Sequence, residues 1–159
     1  MPTPEEIVIV ALQKLDVSYE LIDIDPNFAD TAAFCEKYSY PAERSCNTII
    51  VASEKEPKRY VACVVLADTR LDVNKRVTKL MDVSKASFAS ADEMVALTGM
   101  QVGGVTPFSL PAGVPLYIDD RIMALDWIIL GGGARSLKIK TSPEVFRKLG
   151  AEVVSGLAM

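Results

Sequence analysis

Hydrophobic and polar positions along the chain switch between helical and strand-like spacing at short intervals, and glycine or proline separates the segments. The first helix is predicted over Pro4–Leu15. Its apolar residues recur every three or four positions, Thr3 can cap it, and its first turn is acidic. Further helices are predicted by the same spacing at Thr31–Tyr38, Leu71–Met81, Ala91–Thr98 and between Ser142 and Leu149.

Strand patterns lie between these helices. Two β-branched apolar runs, Asn47–Ala52 and Arg59–Ala67, flank a charged turn and predict a hairpin. Shorter strands are predicted at Ser18–Ile24, Lys85–Phe88, Pro115–Ile118, Trp127–Leu130, Ser136–Lys140 and Val153–Val154, and a helical turn at Asp119–Ala124. Because strands and helices follow no regular βαβ order, the fold class expected is α/β of the mixed, α+β kind, with a curled sheet. With neither an internal repeat nor a long linker, residues 1–159 are expected to form a single domain.

The composition of the chain excludes several kinds of active site. The chain has 159 residues, 50% of them hydrophobic, and no histidine. A Ser-His-Asp triad, a Cys-His pair and a histidine-ligated zinc site are therefore excluded. Any catalysis would depend on carboxylates, lysine, tyrosine, cysteine, backbone amides or a positioned water molecule.

The three cysteines, Cys35, Cys46 and Cys63, form no C-x-x-C pair and are too few for a thiolate metal site. They are expected to be free thiols in a reducing compartment. If the strand start at Cys46 lines a pocket, that thiol would be exposed and redox-sensitive. The acidic N-terminus and the short apolar runs predict a cytoplasmic protein without a membrane segment.

Charge is distributed unevenly although the net charge is only −4. Residues 55–85 carry eight basic and four acidic residues, whereas residues 1–54 are strongly acidic. One interpretation is an ordinary solvated helix face. The other is a strip that contacts the phosphates of a defined RNA end, with Lys75, Arg76 and Lys79 as candidate binding residues.

Three short segments are candidates for a site. Gly103–Phe108 and Gly131–Arg135 are glycine-rich and permit backbone amides to approach a ligand closely. Ser45–Thr48 places small polar residues at the start of a buried strand. Each segment is also compatible with an ordinary turn. Asp119 and Asp120 are interpreted as a turn or helix cap rather than as an acid–base pair.

Taken in order, these segments resemble the YbaK/EbsC family of aminoacyl-tRNA editing domains, which are related to the insertion domain of bacterial prolyl-tRNA synthetase. The resemblance extends from about Val17 to Val154. It is carried by the segments Leu71–Lys75, Lys85–Asp92, Leu97–Gly99, Gly103–Phe108, Ile118–Asp119 and Gly131–Arg135.

The resemblance implies a barrel-like mixed sheet with an open pocket, and an enzyme that hydrolyses the ester of a mischarged tRNA carrying a small amino acid. It implies neither a cofactor nor a metal, and its partners are the tRNA 3′ end and an aminoacyl-tRNA synthetase. The catalytic residues that it implies are Asn47, Gly103 and Gly104. The substrate-binding residues that it implies are Thr48, Val105, Thr106, Pro107, Phe108, Gly131, Gly132, Gly133 and Arg135.

One position departs from the family pattern. Where the family has Lys-Thr, this chain has Asn47 and Thr48, and where some members have an aspartate it has Lys138. Asparagine donates hydrogen bonds but carries no positive charge. Three alternatives follow: another cation, Lys75 or Lys138, replaces the missing lysine; the substrate differs; or the chain binds aminoacyl-tRNA or an amino-acid derivative without hydrolysis. A purely regulatory role, docked on a synthetase, is a further hypothesis.

Overall fold

The computed structural model describes residues 1–159 and contains five α-helices. They are α1 (Pro4–Leu15), α2 (Thr31–Tyr38), α3 (Thr78–Met81), α4 (Ala91–Thr98) and α5 (Glu144–Lys148). The predicted Thr3 cap is confirmed, and α4 has a side-chain cap as well. The Thr3 hydroxyl accepts a hydrogen bond from the Glu6 amide, and Ser90 forms a reciprocal capping box with Glu93. No helix in the structure has both the length and the apolar character that crossing a membrane requires.

Eight strands form two sheets. They are β1 (Tyr19–Asp23), β2 (Cys46–Ser53), β3 (Tyr60–Leu66), β4 (Ala86–Phe88), β5 (Leu116–Asp119), β6 (Ile128–Gly131), β7 (Leu137–Thr141) and β8 (Glu152–Val154). The smaller sheet has the order β1-β7-β6 and is antiparallel throughout. The larger sheet has the order β4-β2-β3-β5-β8. In it β2 pairs antiparallel with β3 and β4, whereas β5 pairs parallel with β3 and β8. The predicted hairpin and the mixed α/β class are confirmed.

The expectation of a barrel-like sheet is not supported. Closing a sheet requires continuous backbone pairing between its edge strands. Here the two sheets are joined only by an isolated bridge between Ser45 and Ile129, at the start of β2. The strands therefore remain in two open sheets.

The core lies on both faces of β3, which explains its unbroken apolar sequence. Val64 and Leu66 pack with α1 and the smaller sheet in one cluster. Val61, Cys63 and Val65 pack with α3 and the C-terminal segment in another. The larger sheet is thus a central layer, covered on both sides.

The segment predicted as one helix at Leu71–Met81 is divided. Val73–Val77 forms a π-helical turn, and α3 follows it directly. The Thr78 hydroxyl donates to the backbone oxygens of Asn74 and Lys75, at 3.0 and 3.2 Å. A hydroxyl that bonds carbonyls three and four positions before it often bends a helix, and here the Val77 amide bonds the Asp72 oxygen five residues back, which defines the π turn.

Candidate functional site

A cavity of about 630 Å³ opens beside the first half of β2. Strand β4 pairs with Val51–Ser53, and the Ala89 amide after it bonds the Ile50 oxygen, which leaves the β4 side of residues 46–49 uncovered. The other walls come from the start of α2, the beginning of α4, the Gly103 loop and strand β7. Thirteen of the twenty lining residues are hydrophobic, so the few polar groups dominate the chemistry.

Asn47 lies on the cavity wall, half-buried. Its side-chain oxygen accepts a hydrogen bond from the Thr31 hydroxyl at the start of α2. Its amide nitrogen has no partner within the chain and is not buried, so its donors remain available in the cavity. The next residue, Thr48, also lines the cavity, and its hydroxyl is buried without a hydrogen-bond partner. Both predicted residues thus belong to one wall.

Lys138, in the middle of β7, is the cation of this cavity and is only 5% exposed. Its ammonium donates to the backbone oxygen of Ala29 at 2.7 Å and to that of Gly103 at 3.2 Å. A lysine has three donors, so one N–H remains without an oxygen partner. Burial lowers the pKa of Lys138 to about 8, and the nearby Asp30 carboxylate opposes this shift.

The sequence analysis named Lys138 only as a replacement cation and left it out of the predicted site. The alternation of β7 assigns Lys138 and Lys140 to the same face of the strand. That pattern does not show which of the two lysines enters a cavity.

The predicted loop Gly103–Phe108 divides between the cavity and the core. Gly103 and Val105 line the cavity, and their backbone amides make no hydrogen bond within the chain. Thr106 and Phe108 are fully buried, and Phe108 packs in the main hydrophobic cluster. Pro107 is buried next to them and does not line the cavity. Gly104, predicted as catalytic, is buried and does not line the cavity either, so the structure brings only Gly103 and Val105 of this loop to the other candidate residues.

The glycines of the second loop permit two loops to pack closely. A Cβ on Gly104 would lie 2.7 Å from the backbone of Ala134, and one on Gly131 would lie 2.6 Å from the Val105 oxygen. The Gly133 amide donates to the Gly104 oxygen at 2.6 Å. Of this loop only Gly131 lines the cavity; Gly132 and Gly133 do not.

Arg135 connects the loops around the cavity rather than lining it. Its guanidinium donates to the backbone oxygens of Pro26 and Val102 and lies 3.5 Å from the Asp30 carboxylate. These contacts join the segment before α2 to the Gly103 loop. Arg135 consequently stabilises the cavity wall through these contacts without lining the cavity itself.

The three basic residues predicted to bind tRNA lie outside the cavity. Lys75 and Lys79 are exposed, and the Arg76 guanidinium donates to the backbone oxygen of Ser155 at 3.1 Å. None of the three lines the cavity, and their role in binding tRNA stays a prediction.

Cys46 lines the cavity but is only 7% exposed, and burial raises the pKa of its thiol. The hypothesis of an exposed, redox-sensitive Cys46 is therefore wrong.

Beside the Asp30 carboxylate and the hydroxyls of Thr31 and Thr48, the cavity holds a group of hydrogen-bond donors. They are the Lys138 ammonium, the Asn47 amide and the unpartnered backbone amides of Gly103 and Val105. Such a set stabilises a carbonyl oxygen, and more strongly an oxygen that gains negative charge. No cluster of three or more metal-binding side chains is present.

Comparisons with known proteins concern the family and the fold of the whole chain. The sequence profile of a family described as aminoacyl-tRNA editing domain matches residues 25–149. A solved structure of the hypothetical protein APE2540 is 25% identical, covers 97% of this chain and 100% of its own, and superimposes with a TM-score of 0.86. A protein proposed to be a trans-editing enzyme for prolyl tRNA synthetase is 20% identical over 98% of this chain and 97% of its own, with a TM-score of 0.82. Both share the fold over nearly their whole length.

Proposed function

The chain belongs to the family of aminoacyl-tRNA editing domains, and from that premise we propose that it hydrolyses the ester joining a small, wrongly attached amino acid to the 3′ adenosine of a tRNA. A synthetase pocket rejects a smaller or near-isosteric amino acid only weakly, so a second hydrolytic site improves accuracy. The chain would act as a free-standing enzyme on tRNA that the synthetase has released.

The observation that carries this proposal is the position of Lys138. This family member lacks the lysine expected at position 47, but a lysine from β7 enters the same cavity and bonds the Gly103 oxygen. The cavity therefore keeps a positive charge beside the Asn47 amide and the glycine loop. This arrangement favours the first of the three alternatives, in which Lys138 replaces the missing cation.

The proposed step is attack of water on the ester carbonyl carbon. A new bond forms between that carbon and the water oxygen, and the bond to the ribose oxygen breaks. One water proton ends on the ribose oxygen, and the other stays with the new carboxyl group until that group ionises, so the products are the free amino acid and the tRNA 3′ hydroxyl. The carbonyl oxygen gains negative charge as the water attacks, and the donors of Lys138, Asn47, Gly103 and Val105 are suited to stabilise it.

The lining of the cavity supports an amino acid with a small, uncharged side chain. The walls contributed by Ala32, Ala42 and Ala67 are apolar, and the anion among the lining residues, Asp30, is already paired with the Arg135 guanidinium at 3.5 Å. Burial of a charged side chain without a partner would cost several kcal/mol, roughly, in such surroundings. The exposed Lys75 and Lys79 would dock the tRNA body through its phosphates.

A second candidate is a protein that binds aminoacyl-tRNA without hydrolysing it, and the neutral side chain of Asn47 favours it. The two functions differ in one measurable property, release of the amino acid. Alanyl-, cysteinyl-, seryl-, prolyl- and threonyl-tRNA would be incubated with the purified protein, with Asn47→Lys and with Lys138→Met. The released amino acid would be followed by its label.

We expect the wild-type protein to release at least one of these amino acids and Lys138→Met to release it much more slowly. Release by Asn47→Lys alone would mean that the scaffold is competent but the natural cavity serves another ligand. Binding of a charged tRNA without release by any of the three proteins would establish the second candidate.

A further inference from the structure

Phe88 is the aromatic residue among those that line the cavity, and 58% of it is exposed. It ends β4, the edge strand of the larger sheet, where it pairs with Val51. More than half of the Phe88 surface therefore stays in contact with solvent in the free protein. It does present a flat apolar face to anything that enters the cavity from outside.

A separate cleft of about 340 Å³ lies at the other end of β4. Lys55, Arg59 and Lys85 line it, and none of them takes part in an ion pair within the chain. Glu56 and Asp82 also line the cleft, which therefore carries a small net positive charge. Carboxylates can accept a hydrogen bond from a ribose 2′-hydroxyl, so their presence is compatible with RNA.

The cavity and the cleft are connected by β4 itself. The backbone oxygen of Lys85 accepts a hydrogen bond from the Glu54 amide, which continues the β2–β4 ladder by one residue. Lys85 and Phe88 are thus three extended residues apart, a distance of about 10 Å. That distance corresponds to roughly three stacked nucleotide steps of about 3.4 Å.

We propose that β4 is the binding track for the single-stranded 3′ end of the RNA substrate, with a terminal base stacked on Phe88 and backbone phosphates in the cleft of Lys55, Arg59 and Lys85. The choice of RNA as the ligand rests on the proposed function. Base stacking on an exposed aromatic side chain and phosphate contacts in a basic groove are the usual means by which proteins hold single strands.

The basic residues of segment 55–85 form two groups in the structure: Lys55, Arg59 and Lys85 line the cleft, whereas Lys75 and Lys79 do not. Lys75 lies on the Val73–Val77 turn that packs beside β4, and Lys79 lies in α3 directly after it; both are outside the cavity and the cleft. If the 3′ end follows β4, loss of charge in the cleft weakens binding of a short single strand. Loss of charge at Lys75 and Lys79 does not.

The test measures binding of a fluorescein-labelled, single-stranded RNA ending in CCA, over a range of salt concentrations. The variants are Phe88→Leu, Phe88→Tyr, the pair Lys55→Gln with Lys85→Gln, and the matched pair Lys75→Gln with Lys79→Gln. All five positions are exposed, so the variants are expected to fold, and circular dichroism verifies it.

We expect Phe88→Leu to bind about 5-fold to 150-fold more weakly and Phe88→Tyr to bind like the wild type, since only tyrosine retains the aromatic face. The cleft pair should weaken binding and reduce the salt slope by about 1.4. Wild-type binding by Phe88→Leu overturns the inference. So does a larger loss from the Lys75 and Lys79 pair than from the cleft pair, or no RNA binding by the wild type.

This experiment and the deacylation panel can fail independently. Weaker RNA binding by the β4 variants without any amino-acid release would refute the proposed hydrolysis and retain the track. Amino-acid release with an unchanged KM in Phe88→Leu would retain the enzyme and refute the track.

Discussion

The ammonium nitrogen of Lys138 lies 3.2 Å from the backbone oxygen of Gly103, and this contact joins the smaller sheet to the loop that lines the cavity. A second contact, to the Ala29 oxygen at 2.7 Å, fixes the same ammonium against the segment before α2. The Lys138 side chain thus connects three walls of the cavity: β7, the Gly103 loop and the segment before α2. Lys138 is therefore the first residue to test.

Lys138→Met should reduce kcat for deacylation by about 100-fold, the usual effect of removing one donor to a developing oxyanion. Steady-state kinetics on the amino acid found in the panel would measure it. Lys140→Met is the matched control, since Lys140 lies on the same face of β7 outside the cavity, over the Trp127 ring. Equal activity of the two variants would contradict the role of Lys138.

The lowered pKa of Lys138 predicts a pH dependence of stability. Between its folded-state pKa of about 8 and its ordinary value of 10.5, the unfolded chain binds more protons than the folded chain. The contribution of Lys138 to the free energy of unfolding should therefore rise across this window, by up to about 3 kcal/mol. Below pH 8 the cost of burying the charge is fully present.

Urea unfolding at several pH values would measure this dependence, compared with Lys138→Met. The comparison is needed because Tyr60 and Tyr117 have raised pKa values and act in the opposite direction at high pH. A constant difference in unfolding free energy between the two proteins from pH 7 to pH 10.5 would refute the prediction.

Gly104→Ala should lower the free energy of unfolding by about 2 kcal/mol, because the added Cβ would meet the Ala134 backbone at 2.7 Å. Chemical denaturation would measure the loss. Gly113→Ala provides the comparison. Its Cβ would meet nothing within 4 Å, so only its φ of +89° opposes the change, at about 1 kcal/mol. Loop packing would not explain Gly104 if both variants lost the same stability.

Thiol labelling should distinguish the three cysteines. Cys35 is half-buried in the cavity wall, whereas Cys46 and Cys63 are buried and burial raises the pKa of both thiols. The thiolate is the reactive form, so a thiol reagent should modify Cys35 first in the folded protein. Mass spectrometry of the digested protein would identify the site. Earlier labelling of Cys46 would contradict its burial.

The helix starts predicted best from the sequence are those whose capping residues lie within one helical turn. Thr3 before α1 and Ser90 before α4 mark their helix starts through side-chain caps, and such caps depend only on residues three positions away. The β2–β3 hairpin was predictable for a similar reason, because its two apolar runs are separated by a short charged turn. The Val73–Val77 turn was not, since its shape depends on which carbonyls the Thr78 hydroxyl bonds.

The site was predicted in part. Asn47, Thr48, Gly103 and Val105 do share one cavity, whereas Thr106, Pro107 and Phe108 are buried away from it. The motif placed these residues in one loop, but a loop that crosses a core edge exposes only some of its residues. Phe88 had no sequence signal beyond its strand.

The sequence alone determined the starts of α1 and α4, the hairpin, the absence of histidine chemistry and the family resemblance, because each depends on neighbouring residues or on residue types. Only the tertiary structure decided that the strands form two open sheets and that Lys138 enters the cavity. A period of two assigns a residue to one face of its strand. It carries no information on which distant segment that face will meet, and pairings such as β1 with β7 join residues more than a hundred positions apart.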